Sequence, residues 1–175
     1  MKLCYFFSGM PLSGKSTIAR RLAAEEGLAY FSTGEFARSL GMGMESSIRT
    51  RDLSEQHDNK IIEEVVTRCS AGGQVIDGFP RSIEQFEILM SAFRRDQYRL
   101  YFVVANPLVI FDRIAKRRAH EDRPEDTYEV VADRVKRSCE WRRELQALEP
   151  DLVIIHEEEV SKDIPVLSYL DGLAL

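Results

Sequence analysis

The run Gly9-Met10-Pro11-Leu12-Ser13-Gly14-Lys15-Ser16-Thr17 limits what this chain can fold into more than any other stretch. It follows an apolar run, residues 3–7, and precedes apolar residues at helical spacing, Ile18, Leu22 and Ala23. Strand, glycine loop and helix is the context that the pattern G-x-x-x-x-G-K-S/T requires. Gly9 and Gly14 permit backbone shapes and close approaches that a side chain would block. Successive N–H groups and the start of the next helix then point at phosphate oxygens. Gly9, Pro11, Ser13, Gly14, Lys15, Ser16 and Thr17 are therefore the candidate triphosphate-binding residues. Lys15 would reach the β and γ phosphates, and Ser16 would ligate Mg²⁺.

The rest of the chain extends that unit. At 175 residues it is long enough for one domain with a proper core. Residues 3–8, 28–31, 74–76, 100–104 and 152–155 read as short buried strands. Helices are expected over 15–26, stopped by Gly27, and from the Ser32-Thr33-Gly34-Glu35 start signal. Residues 40–47, with Gly41 and Gly43, read as a bend. Ser54 is the expected cap of a longer helix ended by Gly72-Gly73. Further helices are expected over 82–93, from Pro107 onward, up to 148 before Pro150, and over 160–170. Residues 118–126, polar and containing Pro124, read as a loop. Strands alternating with helices predict an α/β fold: a three-layer α/β/α domain on a five-stranded parallel sheet. Ligands in such folds bind beyond the carboxyl ends of the strands.

Charge and cysteine content narrow the function classes. The net charge of −5, from 24 basic and 29 acidic side chains, argues against general affinity for nucleic acid. No apolar run approaches the roughly 20 residues that span a bilayer. Cys4, Cys69 and Cys139 show no zinc-ligand spacing, and reduced thiols in a cytoplasmic setting are expected. No cleaved leader is read, because residues 1–3 run straight into the first strand. A monomer is expected. Arg113, Arg117, Arg118, Arg123, Arg134 and Arg137 nevertheless crowd one region. Such a cluster suits a small anionic ligand, or a solvated helix face balanced by Glu and Asp.

Asp77 is the second anchor. It ends an apolar strand, where a carboxylate can hold Mg²⁺ directly or through water. The alternative is a turn aspartate, which Asp-Gly favours in any protein. Thr33 could likewise be only a helix cap, and Gln85 an exposed helix residue. Arg134 and Arg137 could pair along their helix with Glu129 and Asp133.

Taken together, these segments resemble the adenylate kinases. Ser32-Thr33-Gly34-Glu35-Phe36-Ala37-Arg38 is similar to the family's STGD-x-x-R segment. Asp77-Gly78-Phe79-Pro80-Arg81 with Gln85 is similar to its DGFPR-x-x-x-Q segment. Asp112-Arg113, Arg117, Arg123-Pro124-Glu125-Asp126 and Arg134 resemble its short-lid arginine pattern. The segments stand in the family's order over almost the whole chain. The resemblance implies that Thr33, Arg38, Gly78, Arg81 and Gln85 hold a nucleoside monophosphate, the two arginines on its phosphate and Gln85 on its base. It also implies that Arg113 lies over the adenine of the donor ATP. Arg117, Arg123 and Arg134 would contact the phosphates as a lid at 118–126 closes, with an inserted monophosphate-binding arm at 34–70. The implied catalytic set is Lys15, Arg81, Arg117, Arg123 and Arg134; Mg²⁺ would be held by Ser16 and Asp77.

The departures from the family are as informative. Leu12 stands where glycine is common, Glu35 replaces Asp, and Pro124-Glu125 replaces part of an Asp-Asp pair. Ile155-His156-Glu157 stands where an Asp-Gly pair is usual near the adenine, and the stretch between Thr33 and Asp77 is short. The expected activity is transfer of the γ-phosphoryl of ATP-Mg²⁺ to a nucleoside monophosphate. Thr33 leans toward AMP. The alternatives are a pyrimidine or other monophosphate, a different small acceptor such as shikimate or a sugar acid, and a nucleotide-binding regulatory module with little turnover.

Overall fold

The computed structural model describes the backbone of residues 3–41, 51–120 and 127–173, and their side chains except at 51–57 and 118–120. Five parallel strands form one sheet: β1 (Cys4–Gly9), β2 (Ala29–Ser32), β3 (Gln74–Asp77), β4 (Tyr98–Val104) and β5 (Val153–His156). Their order is β2-β3-β1-β4-β5. The connecting helices are α1 (Lys15–Glu26), α2 (Thr33–Ser39), α3 (Arg51–Ala71), α4 (Ile83–Ala92), α5 (Pro107–His120), α6 (Tyr128–Leu148) and α7 (Val166–Leu173).

The continuous apolar strands are explained by burial on both faces. Along β1, Cys4 and Phe6 enter one core while Tyr5 and Phe7 enter the other. Along β4, Tyr98, Leu100, Phe102 and Val104 join the first, and Tyr101 and Val103 join the second. The first core is closed by Ile61 and Val65 of α3, Phe86 and Leu89 of α4, Ile110 and Ile114 of α5, and Trp141 and Leu145 of α6. The second is closed by Ile18 and Leu22 of α1 and by Val166 and Leu170 of α7. Side chains alternate by two along a strand, so each strand supplies both layers.

The topology places the site. Phe6 pairs with Ile76 on one side and with Leu100 on the other, which puts β1 at the middle of the sheet. The chain adds strands toward β2, then crosses β1 to build β4 and β5. The reversal lies at the carboxyl ends of β1 and β3, where Gly9 and Asp77 stand, and where α/β sheets open a ligand crevice.

Several local expectations shift. The α3 helix has begun by Arg51, so Ser54 sits inside its first turn rather than capping it. The α5 helix runs to His120, because residues 116–119 are good helix formers and no breaker precedes Pro124. The last helix starts at Val166 instead of residue 160: Pro165 disfavours helical backbone at the residue before it, and residues 157–159 make a separate 3₁₀ turn. Ser32 caps α2, its hydroxyl accepting from Glu35 N–H at 3.3 Å, which leaves Thr33 free for another task. Most of the 40–47 bend and residues 121–126 of the expected lid, with Arg123, lie outside the described residues. Among the described residues, no helix is long and apolar enough to cross a membrane.

Candidate functional site

The loop between β1 and α1 is shaped by backbone demands. A Cβ on Gly9 would fall 2.2 Å from the carbonyl oxygen of Val103, so no side chain fits there. The next residue locks the contact, Met10 N–H donating to the same carbonyl at 3.1 Å. Gly14 has φ 81° and opens α1, its carbonyl accepting from Thr17 N–H at 2.9 Å. Leu12 has φ 58°, in the left-handed region. It is the position where the sequence departs from a glycine. An L-residue pays roughly 1–2 kcal/mol for that conformation, and Leu12 is held in it by its surroundings. Its side chain packs on the first core. Its carbonyl accepts from Arg113 Nη1 at 2.9 Å.

Lys15 lies half-buried under this loop, its ammonium donating to the Met10 carbonyl at 3.3 Å. Burial pushes its pKa down to about 8, against the attraction of Asp77 and with the repulsion of Arg81 and Arg117. Among the described residues, the Ser13 hydroxyl is buried without a hydrogen-bond partner. So is one oxygen of Asp77, Oδ1, although Asp77 is only 4% exposed. Its other oxygen accepts from the Tyr30 hydroxyl at 2.8 Å. Orphaned buried oxygens are costly unless something satisfies them. A carboxylate oxygen held ready beside a phosphate cradle fits a hard cation that takes its other ligands from phosphate, a hydroxyl and water. Ser16 is exposed at the first turn of α1, on the solvent side of the loop. Among the described residues, no three His, Cys, Asp or Glu side chains are grouped to bind a metal by themselves.

A second cluster faces the first across Asp77. The Thr33 hydroxyl is fully buried and reaches the carbonyls of Gly78 at 2.9 Å and Asp77 at 3.1 Å. It ties α2 to the end of β3, and so is not a cap. Arg81 donates from Nε to Gly78 O at 2.6 Å and from Nη2 to the Thr33 hydroxyl at 3.1 Å. Desolvation by the surrounding protein lowers its pKa, with Arg134 and Arg38 adding repulsion. The tips of Arg38 and Arg81 both lie 3.5 Å from the point where a Cβ on Gly34 would stand. Three arginines of distant sequence, Arg38, Arg81 and Arg134, thus share one neighbourhood, and Arg117 is near enough to Lys15 to repel its charge. Like charges are gathered in this way where an anion is to be held. Arg137, by contrast, pairs with Asp133 one turn away on the surface at 2.6 Å.

Gln85 is buried and engaged at both ends. Its Oε1 accepts from Arg81 N–H at 2.8 Å, and its Nε2 donates to Asp58 Oδ1 at 3.2 Å. Behind the cluster, Ser8 Oγ donates to the Pro80 carbonyl at 2.7 Å and accepts from Trp141 Nε1 at 3.2 Å. That chain ties α6 to the end of β1 and to the segment carrying Arg81.

Asp58, Tyr30 and Glu157 make contacts that their sequence positions do not assign. Asp58 had a faint signal: a charge three and four residues before the buried pair Ile61 and Ile62, and so near a helix's buried face. Tyr30 had none, since a strand tyrosine is ordinary. Glu157 belongs to the Ile155-His156-Glu157 stretch that the resemblance sets near the adenine, but nothing in the sequence assigns it a partner. In the structure His156 is exposed, and Glu157 touches both Arg113 and the loop.

Residues 8–132 match the family model described as an AAA domain. The adenylate kinase of Caulobacter vibrioides is 33% identical over 141 residues, covering 73% of this chain and 73% of that protein. The adenylate kinase of Maricaulis maris is 31% identical over 140 residues, covering 73% and 74%. Among solved structures, a gluconokinase from Sinorhizobium meliloti superposes with TM-score 0.66 at 17% identity, over 98% of this chain and 93% of that one. A sugar kinase from Janibacter sp. superposes with TM-score 0.68 at 15% identity, over 99% and 94%. At that identity the structural likeness establishes the fold alone, a three-layer α/β/α domain on a parallel sheet.

Proposed function

Because this chain belongs to the adenylate kinase family, we propose that it moves the γ-phosphoryl of ATP to a nucleoside monophosphate, with AMP the favoured acceptor. One observation carries the reading: an anion cradle around Lys15 and a second arginine-lined cluster around Arg81 meet at a single buried carboxylate, Asp77. A binding module needs one cradle. A phosphoryl transferase needs two, close together and facing.

In this reading Gly9, Pro11, Ser13, Gly14, Ser16 and Thr17 enclose the donor phosphates, with Lys15 on the β and γ groups. Arg113 lies at the donor base. Thr33 and Gly78 shape the acceptor floor, Arg38 and Arg81 grip its phosphate two-toothed, and Gln85 meets its base. Mg²⁺, held by Ser16 and by Asp77 directly or through water, would neutralise charge on the donor phosphates. The acceptor oxygen is already ionised at neutral pH, so no general base is assigned. The side chains align the reactants and spread positive charge over the transferring group. Arg117, Arg123 and Arg134 would complete that charge as residues 118–126 and the arm at 34–70 close and exclude water.

Asp58 favours one rival. A carboxylate beside Gln85 suits hydroxyl groups, and hence a sugar-acid acceptor. One assay separates the two. Turnover is measured with ATP and each of AMP, CMP, UMP, GMP, dTMP and gluconate. ADP formation with AMP, and none with gluconate, is expected. Silence with all five monophosphates overturns the proposal.

A further inference from the structure

Glu157 lies outside the motifs that define the phosphate loop, yet its carboxylate meets that loop. It follows β5 directly, in the 3₁₀ turn of residues 157–159. Its Oε1 accepts from Arg113 Nη2 at 2.7 Å, and both side chains are largely shielded, 31% and 26% exposed. The same carboxylate lies 3.1 Å from the point where a Cβ on Gly14 would stand. On its other nitrogen, Arg113 Nη1 donates to the Leu12 carbonyl at 2.9 Å. The guanidinium of α5 is therefore pinned along its edge by two acceptors from different parts of the chain. A guanidinium donates hydrogen bonds only in its plane, so edge pinning fixes the plane and leaves the two faces for stacking.

We infer that Glu157 is a positioning residue for the donor nucleotide: it holds the Arg113 plane so that a face is presented to the purine base. The inference rests on the donor-site reading above and adds a residue to it. A negative charge beside a phosphate cradle is otherwise unfavourable, since it repels the ligand that the cradle exists to bind. Pairing with Arg113 cancels that charge and turns it to use. The third contact links base to phosphates. The Leu12 carbonyl belongs to the loop residue held at φ 58°, so the group that meets the base also braces the loop around the triphosphate.

The test uses a ligand with no base. Dissociation constants for ATP and for inorganic tripolyphosphate are measured by calorimetry on the full chain and on Glu157→Ala and Glu157→Gln. Glu157→Ala should weaken ATP by about tenfold, the scale of one stacking contact between a cation and a ring. It should leave tripolyphosphate unchanged or bind it more tightly, because a negative charge has left the cradle. Glu157→Gln, which keeps an acceptor oxygen, should lie between the parent and Glu157→Ala for ATP. Equal loss of both ligands would show a merely structural role and overturn the inference, as would no change in either. If the parent chain binds neither ligand, the donor-site reading falls and takes this inference with it.

Discussion

The two halves of the candidate site, donor and acceptor in the proposed reading, are built from different materials. The donor half is mainly backbone: Gly9 pressed against Val103, Leu12 at φ 58°, and Gly14 opening α1. The acceptor half is mainly side chain: Thr33, Arg81, Gln85 and Asp58 bonded in sequence to one another and to the end of β3. Backbone geometry is set once, by which residues can adopt it. A side-chain network is held by its partners and can rearrange when a ligand offers better ones. The donor half is therefore preformed, and the acceptor half is poised to change partners. Gln85 shows this most clearly, since each end of its carboxamide already holds a partner, Arg81 N–H on Oε1 and Asp58 on Nε2, which a base would have to share or displace.

The largest expected effect tests whether the halves are separable. Arg81→Lys keeps the charge but loses the fork that spans Gly78 O and the Thr33 hydroxyl. Turnover with AMP should fall by about 10²–10³-fold, the range for removing one preorganised donor to developing charge. The dissociation constant for ATP should stay within about twofold of the parent value, as expected for a change confined to one half. A matching loss of ATP affinity would break the comparison, because the two halves would then be one network joined through Asp77.

A smaller effect comes from Lys15, the side chain of the donor half whose charge can be titrated. Its pKa in the ligand-free chain is pushed down to about 8, chiefly by burial. Bound phosphate supplies opposite charge and raises it, so the ligand prefers the protonated form. Below about pH 8 the free chain is already protonated, and affinity for tripolyphosphate should be flat with pH. Above that value each binding event must take up a proton, and affinity should fall by up to about tenfold per pH unit. Calorimetry in two buffers of different ionisation enthalpy at pH 9 should register that uptake. Affinity that holds level to pH 10 would mean that Lys15 is already better solvated than its surroundings imply.

How much of this was legible in the sequence follows the same divide. The five strands, their parallel direction and the loop were readable because each imposes a residue type on a position; the order of the strands came only from the structure. Apolar runs such as 100–104 mark strands buried on both faces, and Gly9 marks a contact that no side chain survives. The acceptor residues could be found only as a spaced set, since Thr33, Arg81 and Gln85 are each ordinary alone. Tyr30, Asp58 and Glu157 were not found as partners, because what matters about them is which distant atom they meet. Tyr30 meets Asp77 across two strands, and Glu157 meets Arg113 across 44 residues of chain. Helix ends failed for a simpler reason. Residues 116–119 favour a helix, but their charge also reads as loop, and there and at 51–54 only the next breaker or cap fixes the end.

The smallest effect asks whether the donor half is as backbone-determined as Leu12 implies. Leu12→Gly removes the left-handed penalty but also loses side-chain packing on the first core and frees the unfolded chain. These terms oppose one another, and the stability change should stay within about 1 kcal/mol. Leu12→Ile is the sharper probe. It conserves volume and hydrophobicity, so packing is nearly held, while a β-branched residue tolerates a φ near 58° least. It should destabilise the chain by about 1–2 kcal/mol in urea unfolding, and weaken tripolyphosphate more than AMP. If Leu12→Ile is neutral on both counts, the loop is free to leave the left-handed conformation in solution. The donor half would then owe its shape to the Arg113 contact on the Leu12 carbonyl, a side-chain device like those of the acceptor half.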